Sequence, residues 1–234
     1  MTFAQKQQIT IEEIYENKFR TERLEALRSM NNGKHYTVLT RTNGSVSAID
    51  KYDYKTQQKI ETIVSSSDAK TIPVFSSYSF SDNERQILLA TEVEPIFRHS
   101  RLGIYYIYDT TSKTIVKIAD NKIQEPTLSP NGSHVAYVYD NNIYVMDVVS
   151  KETKQLTSDG IKNKIINGVT DWVYEEEFAF VRAFEWNSDG SKIAFLRFDE
   201  TEVPEFSMDI YGTALYQKQN VFKYPKAGES NAIV

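Results

Sequence analysis

The chain has 234 residues, 27 Lys and Arg against 32 Asp and Glu, a formal net charge of −5 and no cysteine. Disulfides, thiolate zinc sites and a cysteine nucleophile are therefore excluded. The acidic balance, without any Lys/Arg cluster, argues against a protein that binds nucleic acid by neutralising phosphates. The length suffices to bury a sizeable core. The 15 Tyr and 12 Phe favour strands. No apolar run reaches the ~18 residues of a membrane span.

The first residues, MTFAQKQQ, lack the apolar centre of a signal peptide. The chain is therefore expected to be cytosolic, or to have lost its signal. FAQKQQ resembles the junction left by a bacterial signal peptide. The next segment, ITIEEIYENKFR, predicts a short helix. Thr10 followed by Glu13 matches a capping box, and Ile11, Ile14 and Tyr15 share one helical face.

Beyond the helix the hydrophobic period becomes two, and the chain repeats itself. NNGKHYTVLT, FSDNERQILLATE, LSPNGSHVAYVYD and NSDGSKIAFLRFD open four copies. Each full copy continues with a second strand ending near Asp, a Lys-containing turn and a third strand. The matching turn positions are Gly33, Glu84, Gly132 and Gly190. A period of this size with several short strands per repeat is the signature of a propeller blade. Asn131-Gly132 and Asp189-Gly190 supply the backbone freedom of tight turns. Asn43-Gly-Ser and Asn131-Gly-Ser, which also match glycosylation acceptors, are read as turns. The alternation of Val135, Tyr137 and Tyr139, and of Ile193, Phe195 and Arg197, predicts half-buried strands. The expected architecture is all-β: a partial β-propeller of about four blades, with a short N-terminal helix and a short helical insertion. Residues 1–24 form the helix and lead-in, and 25–234 the propeller segment.

Two stretches interrupt the repeat, and insertions in repeat proteins collect on one functional face. TEVEPIFRHSRLG, inside the second copy, carries Arg98 and His99. IKNKIINGVTDWVYEEEFAF, between the third and fourth, carries Glu175, Glu176 and Glu177 among Trp172, Tyr174, Phe178 and Phe180. An acidic triplet is ordinarily a solvated face; the aromatic flanks argue for more. Helical neighbours differ by about 100°, so Glu176 and Glu177 can converge on one cation while Glu175 points elsewhere. A bound ammonium would relieve their repulsion. Each contact is worth about 4 kcal/mol before desolvation at ~4 Å and an effective dielectric near 20. No metal-ligand spacing accompanies the triplet, so neither metal nor cofactor is expected. Arg98 is either a surface charge or a fixed donor to a carbonyl or carboxylate. His99 reads as a local hydrogen-bonding residue. The chain has no G-x-S-x-G elbow, phosphate loop or dinucleotide fingerprint.

NGVTDWVYEEEF, WNSDGSKIAFLRFDETEVPEF and YPKAG, in that order, resemble the N-terminal propeller of the dipeptidyl peptidase IV family. FRHSRLGIYYIYD resembles its arginine-bearing loop, and ITIEEIYENKFR its N-terminal helix. The resemblance implies one portion of an eight-bladed propeller joined to a C-terminal α/β-hydrolase domain. It implies a serine exopeptidase that removes dipeptides with Pro or Ala in second position. Glu176 and Glu177 would bind the substrate's terminal ammonium and Arg98 a backbone carbonyl. Glu175, Trp172, Tyr174 and His99 would support them. The catalytic triad would lie beyond Val234, so this segment alone is expected to be inactive. The implied partners are a peptide with a free N-terminus, the chain's own hydrolase domain and a second copy in a homodimer, in a periplasmic or secreted setting. The alternatives are a non-catalytic propeller that binds proteins, and a tripeptidyl peptidase relative.

Overall fold

Residues 8–21, 26–42, 45–68 and 71–234 are described by the computed structural model. The expected Asn43-Gly44 turn and the boundary at residue 24 fall outside them. Thr10 caps α1 (Ile11–Tyr15) in a full capping box with Glu13, and the helix buries none of its residues. Three four-stranded antiparallel meanders follow, each in chain order. The first holds β1 (Leu27–Ser29), β2 (His35–Thr42), β3 (Val46–Asp53) and β4 (Lys59–Ser65). The second holds β5 (Ser77–Phe80), β6 (Gln86–Pro95), β7 (Arg101–Asp109) and β8 (Ile115–Lys117). The third holds β9 (Gln124–Leu128), β10 (His134–Tyr139), β11 (Asn142–Asp147) and β12 (Thr153–Gln155). These are the blades of a partial propeller. No helix among the described residues is long and apolar enough to cross a membrane.

The fourth copy differs from the other three. Its strands β13 (Ile165–Asn167), β14 (Phe184–Trp186), β15 (Ile193–Phe195), β16 (Arg197–Asp199), β17 (Glu205–Ile210) and β18 (Lys218–Lys223) form three two-stranded sheets. β13 pairs with β16, β14 with β15, and β17 with β18. The helix α2 (Trp172–Phe178) separates β13 from β14. The expected single strand through Ile193, Phe195 and Arg197 is therefore broken at Leu196, whose N–H turns to the Ala183 carbonyl at 2.8 Å. Phe195 and Arg197 are exposed.

The turns hold the blades in register. Gly33, Glu84, Gly132 and Gly190 all adopt left-handed backbone, with φ of 64°, 58°, 71° and 72°. Bonds at the first three turns join each copy to the next. The Asn31 side chain donates to the Asp82 carbonyl at 2.6 Å, Gln86 Nε2 to the Gly132 carbonyl at 2.8 Å, and Asn131 Nδ2 to the Asp189 carbonyl at 3.2 Å. The Lys-containing turns start from Asp53, Asp109 and Asp147, whose carboxylates accept N–H groups two or three residues on. Antiparallel strands alternate in direction, so both turn sets lie on one rim. The hairpin between the second and third strands of a blade, and the blade-to-blade connections, emerge at the other. Both interruptions of the repeat therefore reach the same rim.

Between the blades lie three apolar clusters. Ile49, Val64, Ile87 and Leu89 fill the first gap. Val135 and Tyr137 join Leu88, Ile107 and Met146 in the second. Ala136 and Val138 join Ile143, Ile166, Phe184 and Phe198 in the third. β10 is thus buried on both faces over Val135–Val138, not on one as its alternation predicts. Tyr137 and Val138 can both be apolar because each face meets a neighbouring sheet. Each fully buried Val, Ile, Leu, Phe or Met among them stabilises the fold by about 1.5–3 kcal/mol relative to exposure.

Two glycines separate backbone strain from crowding. A Cβ on Gly33 would meet nothing within 4 Å, whereas one on Gly132 would lie 2.1 Å from Gln86 Oε1. Gly33→Ala is expected to cost about 1–2 kcal/mol, the strain of a left-handed residue. Gly132→Ala must also displace the Gln86 amide, and losing its bond to the Gly132 carbonyl adds about 0.5–1.5 kcal/mol. Urea denaturation reads both; equal losses would contradict the interblade bond.

Candidate functional site

α2 begins where the Asp171 carboxylate accepts the Tyr174 N–H at 2.9 Å, and ends at Ala179 in left-handed backbone. A helix of two turns is marginal by itself, so packing has to hold it. Tyr174 meets Phe178, Phe180 and Phe198 at ring distances of 5.2, 6.0 and 5.0 Å. Trp172 lies 4.6 Å from Tyr224 and 6.3 Å from Phe222. With these rings fixing the helix rotation, the three glutamates meet different surroundings. Glu175 is 1% exposed, Glu176 is half-buried, and Glu177 faces solvent.

The Glu175 carboxylate accepts two backbone N–H groups from the β6–β7 hairpin, those of His99 at 2.6 Å and Ser100 at 2.8 Å. On the same turn the Arg101 guanidinium collects carbonyls, donating to Phe97 at 3.2 Å, Arg98 at 3.2 Å and Ser100 at 2.8 Å. A carboxylate thus binds the donors of the turn and a guanidinium its acceptors. His99 takes part through its backbone, and its side chain is exposed.

Arg98 is thereby presented outward. Its Nε lies 3.0 Å from Glu176 Oε2, with the arginine side chain 72% exposed and the glutamate 15%. An ion pair so open to water contributes at most about 1 kcal/mol to stability, so it can exchange partners at little cost to the fold. Glu177 makes no ion pair among the described residues. The arrangement offers two neighbouring carboxylates and a guanidinium with most of its donors unused. It suits a ligand carrying a cation close to a carbonyl or carboxylate.

Further acids lie behind the helix. Asp171 and Glu200 are each 5% exposed. Burial raises the Asp171 pKa. Burial, then the Asp171 charge, raises that of Glu200 to about 7 against the opposing pull of Lys223. Glu125, held at φ 50° in β9, is likewise raised, first by burial and less by Glu175, while Arg182 opposes. Asp171, Glu175 and Glu200 line a cavity of about 560 Å³ with Phe97, Trp172 and Phe222. Among the described residues no group of three or more His, Cys, Asp or Glu is placed to hold a metal.

Arg101, Glu125, Glu200 and Phe222 were not singled out in the sequence. Arg101 stands three residues from Arg98 in FRHSRLG, and Glu200 lies within FDETEVP; both are visible in the sequence only as charged residues. Neither spacing nor period distinguishes Glu125 or Phe222.

Glu200 makes stability depend on pH. Its folded pKa of about 7 exceeds its ordinary value of 4.5. Between the two the folded chain keeps a proton that the unfolded chain has released, so this contribution falls as pH rises from 4.5 towards about 7. Glu200→Gln cannot ionise and is expected to gain stability relative to the parent between pH 5 and about 7.5. Denaturation midpoints at both pH values read the difference; a constant or reversed one would contradict the assignment.

A family model described as the dipeptidyl peptidase IV (DPP IV) N-terminal region matches residues 81–234. Human prolyl endopeptidase FAP is 35% identical over 188 residues, covering 78% of this chain and 24% of the relative. Dipeptidyl aminopeptidase B of Saccharomyces cerevisiae is 38% identical over 160 residues, covering 66% and 19%. The crystal structure of Porphyromonas gingivalis dipeptidyl peptidase 4 superposes with a TM-score of 0.88 at 36% identity, over 97% of this chain and 33% of that one. The chain thus spans a fifth to a third of the length of these proteins. By sequence and by fold, it belongs to the dipeptidyl peptidase IV family and carries part of that family's N-terminal region.

Proposed function

We propose that this chain is the substrate-anchoring part of a serine dipeptidyl aminopeptidase. The observation that carries this reading is the meeting of Arg98 and Glu176 at 3.0 Å from two separate interruptions of the propeller, with Glu177 next to them in solvent. A free peptide α-amino group has a pKa of about 7.7–8.0 and is mostly cationic at neutral pH. Glu176 and Glu177 hold that cation and favour its protonated form. As the ammonium takes over Glu176, the Arg98 guanidinium is released to a backbone carbonyl of the peptide.

The anchor then sets where the chain is cut. Two extended residues span at most roughly 7 Å. The scissile carbonyl is held at that distance from the carboxylates, with proline or alanine as the second residue. There the serine of an α/β-hydrolase domain attacks, with histidine as its base. The glutamates measure length and transfer no proton. In this reading the segment up to Val234 binds and orients, while bond cleavage belongs to the hydrolase domain. A peptide with a blocked N-terminus leaves two carboxylates without their cation and is rejected.

In the full-length protein, Glu176→Gln and Glu177→Gln are each expected to lower kcat/KM on a glycyl-prolyl substrate by about 30- to 1,000-fold. This corresponds to roughly 2–4 kcal/mol for removing one partner of a desolvated charge pair. The N-acetylated substrate should be a poor one for the parent. Near-normal cleavage by either variant, or equal cleavage of the acetylated peptide, would sink the anchor.

A further inference from the structure

We infer that Phe222, at the base of the β17–β18 hairpin, is a positioning residue that sets the spacing between Arg98 and the glutamate helix. β17 and β18 pair only with each other among the described strands, so no ladder ties this hairpin to a blade. All of β17 is exposed, and β18 becomes half-buried only over Val221–Lys223. The hairpin therefore meets the protein at its base.

There the Phe222 ring lies 5.8 Å from Phe97, the residue before Arg98. It lies 6.3 Å from Trp172, the first residue of α2. Phe206 and Tyr224 close around it at 5.9 and 6.3 Å. Two polar contacts fix the base: Lys223 Nζ donates to the Val203 carbonyl at 2.8 Å, and the Tyr224 N–H to that of Pro204 at 2.9 Å.

The two sides of the arginine turn are thus held differently. On the side of His99 and Ser100, Glu175 joins the turn to α2 through hydrogen bonds of 2.6 and 2.8 Å. On the side of Phe97, the turn and the helix meet through the ring of a third segment. Aromatic rings in tilted or edge contact prefer defined centroid distances, so Phe222 acts as a spacer between them. Removing it leaves Arg98 and Glu176 joined only at one side.

This inference rests on the anchor reading, and the test separates the two. In the full-length protein, Phe222→Ala is expected to lower kcat/KM for a glycyl-prolyl substrate about tenfold. In a Glu176→Gln background, where the anchor is already broken, the same change is expected to cost less than twofold. Phe222→Tyr, which keeps the ring, should restore activity to within about threefold of the parent. Phe222→Leu, gentler on folding, should show a smaller loss with the same dependence on Glu176. An equal loss in both backgrounds overturns the positioning role and leaves a general packing role. A normal Phe222→Ala alongside an impaired Glu176→Gln overturns Phe222 alone. A normal Glu176→Gln overturns the anchor and this inference with it.

Discussion

One buried carboxylate joins two pieces of chain that lie far apart in sequence, the hairpin turn around Arg98 and the helix α2. A helix of two turns is too short to persist alone. Glu175 accepts the N–H groups of His99 and Ser100 from within the protein, at 1% exposure. Hydrogen bonds to an ionised acceptor are the strong ones, worth about 1.5–3 kcal/mol each. Leaving the carboxylate buried without them would cost more than the bonds contribute. The positions of Arg98 and Glu176 follow from that contact, because each stands next to a residue that makes it.

The propeller makes the contact possible by geometry. Its turns at Gly33, Glu84, Gly132 and Gly190 are bonded blade to blade on one rim. The irregular segments are consequently delivered to the other. Stability resides in the three interblade clusters and in these turns. The Arg98–Glu176 pair, open to water on its arginine side, adds little. That division suits a binding site: the rigid part is apolar and buried, while the exchangeable part is charged and exposed.

Much of the fold was legible in the sequence, because turns and strands are local. The four turn positions could be aligned even though glutamate replaces glycine at position 84, and all four adopt left-handed backbone. The Thr10–Glu13 capping box formed as read. The double burial of β10 was not legible, since Val135–Val138 alternate in size more than in polarity and the facing sheets are distant in sequence. Nor was the splitting of the fourth copy, which follows from the insertion of β13 and α2. The 100° step of a helix set Glu175 apart from Glu176 and Glu177, but did not tell that Glu175 turns inward. The aromatic rings of Trp172 and Tyr174 decide that through Tyr224 and Phe198. Arg101, Glu200 and Phe222 act through contacts with distant residues or with carbonyls, which carry no pattern in the chain.

Native-state hydrogen exchange at the His99 and Ser100 amides tests the central contact most directly. If Glu175 holds the turn, both amides are protected in the parent, and Glu175→Gln speeds their exchange by about tenfold or more while Glu177→Gln leaves it unchanged. Exchange in the parent as fast as in an open loop, or protection that survives Glu175→Gln in full, would contradict the account.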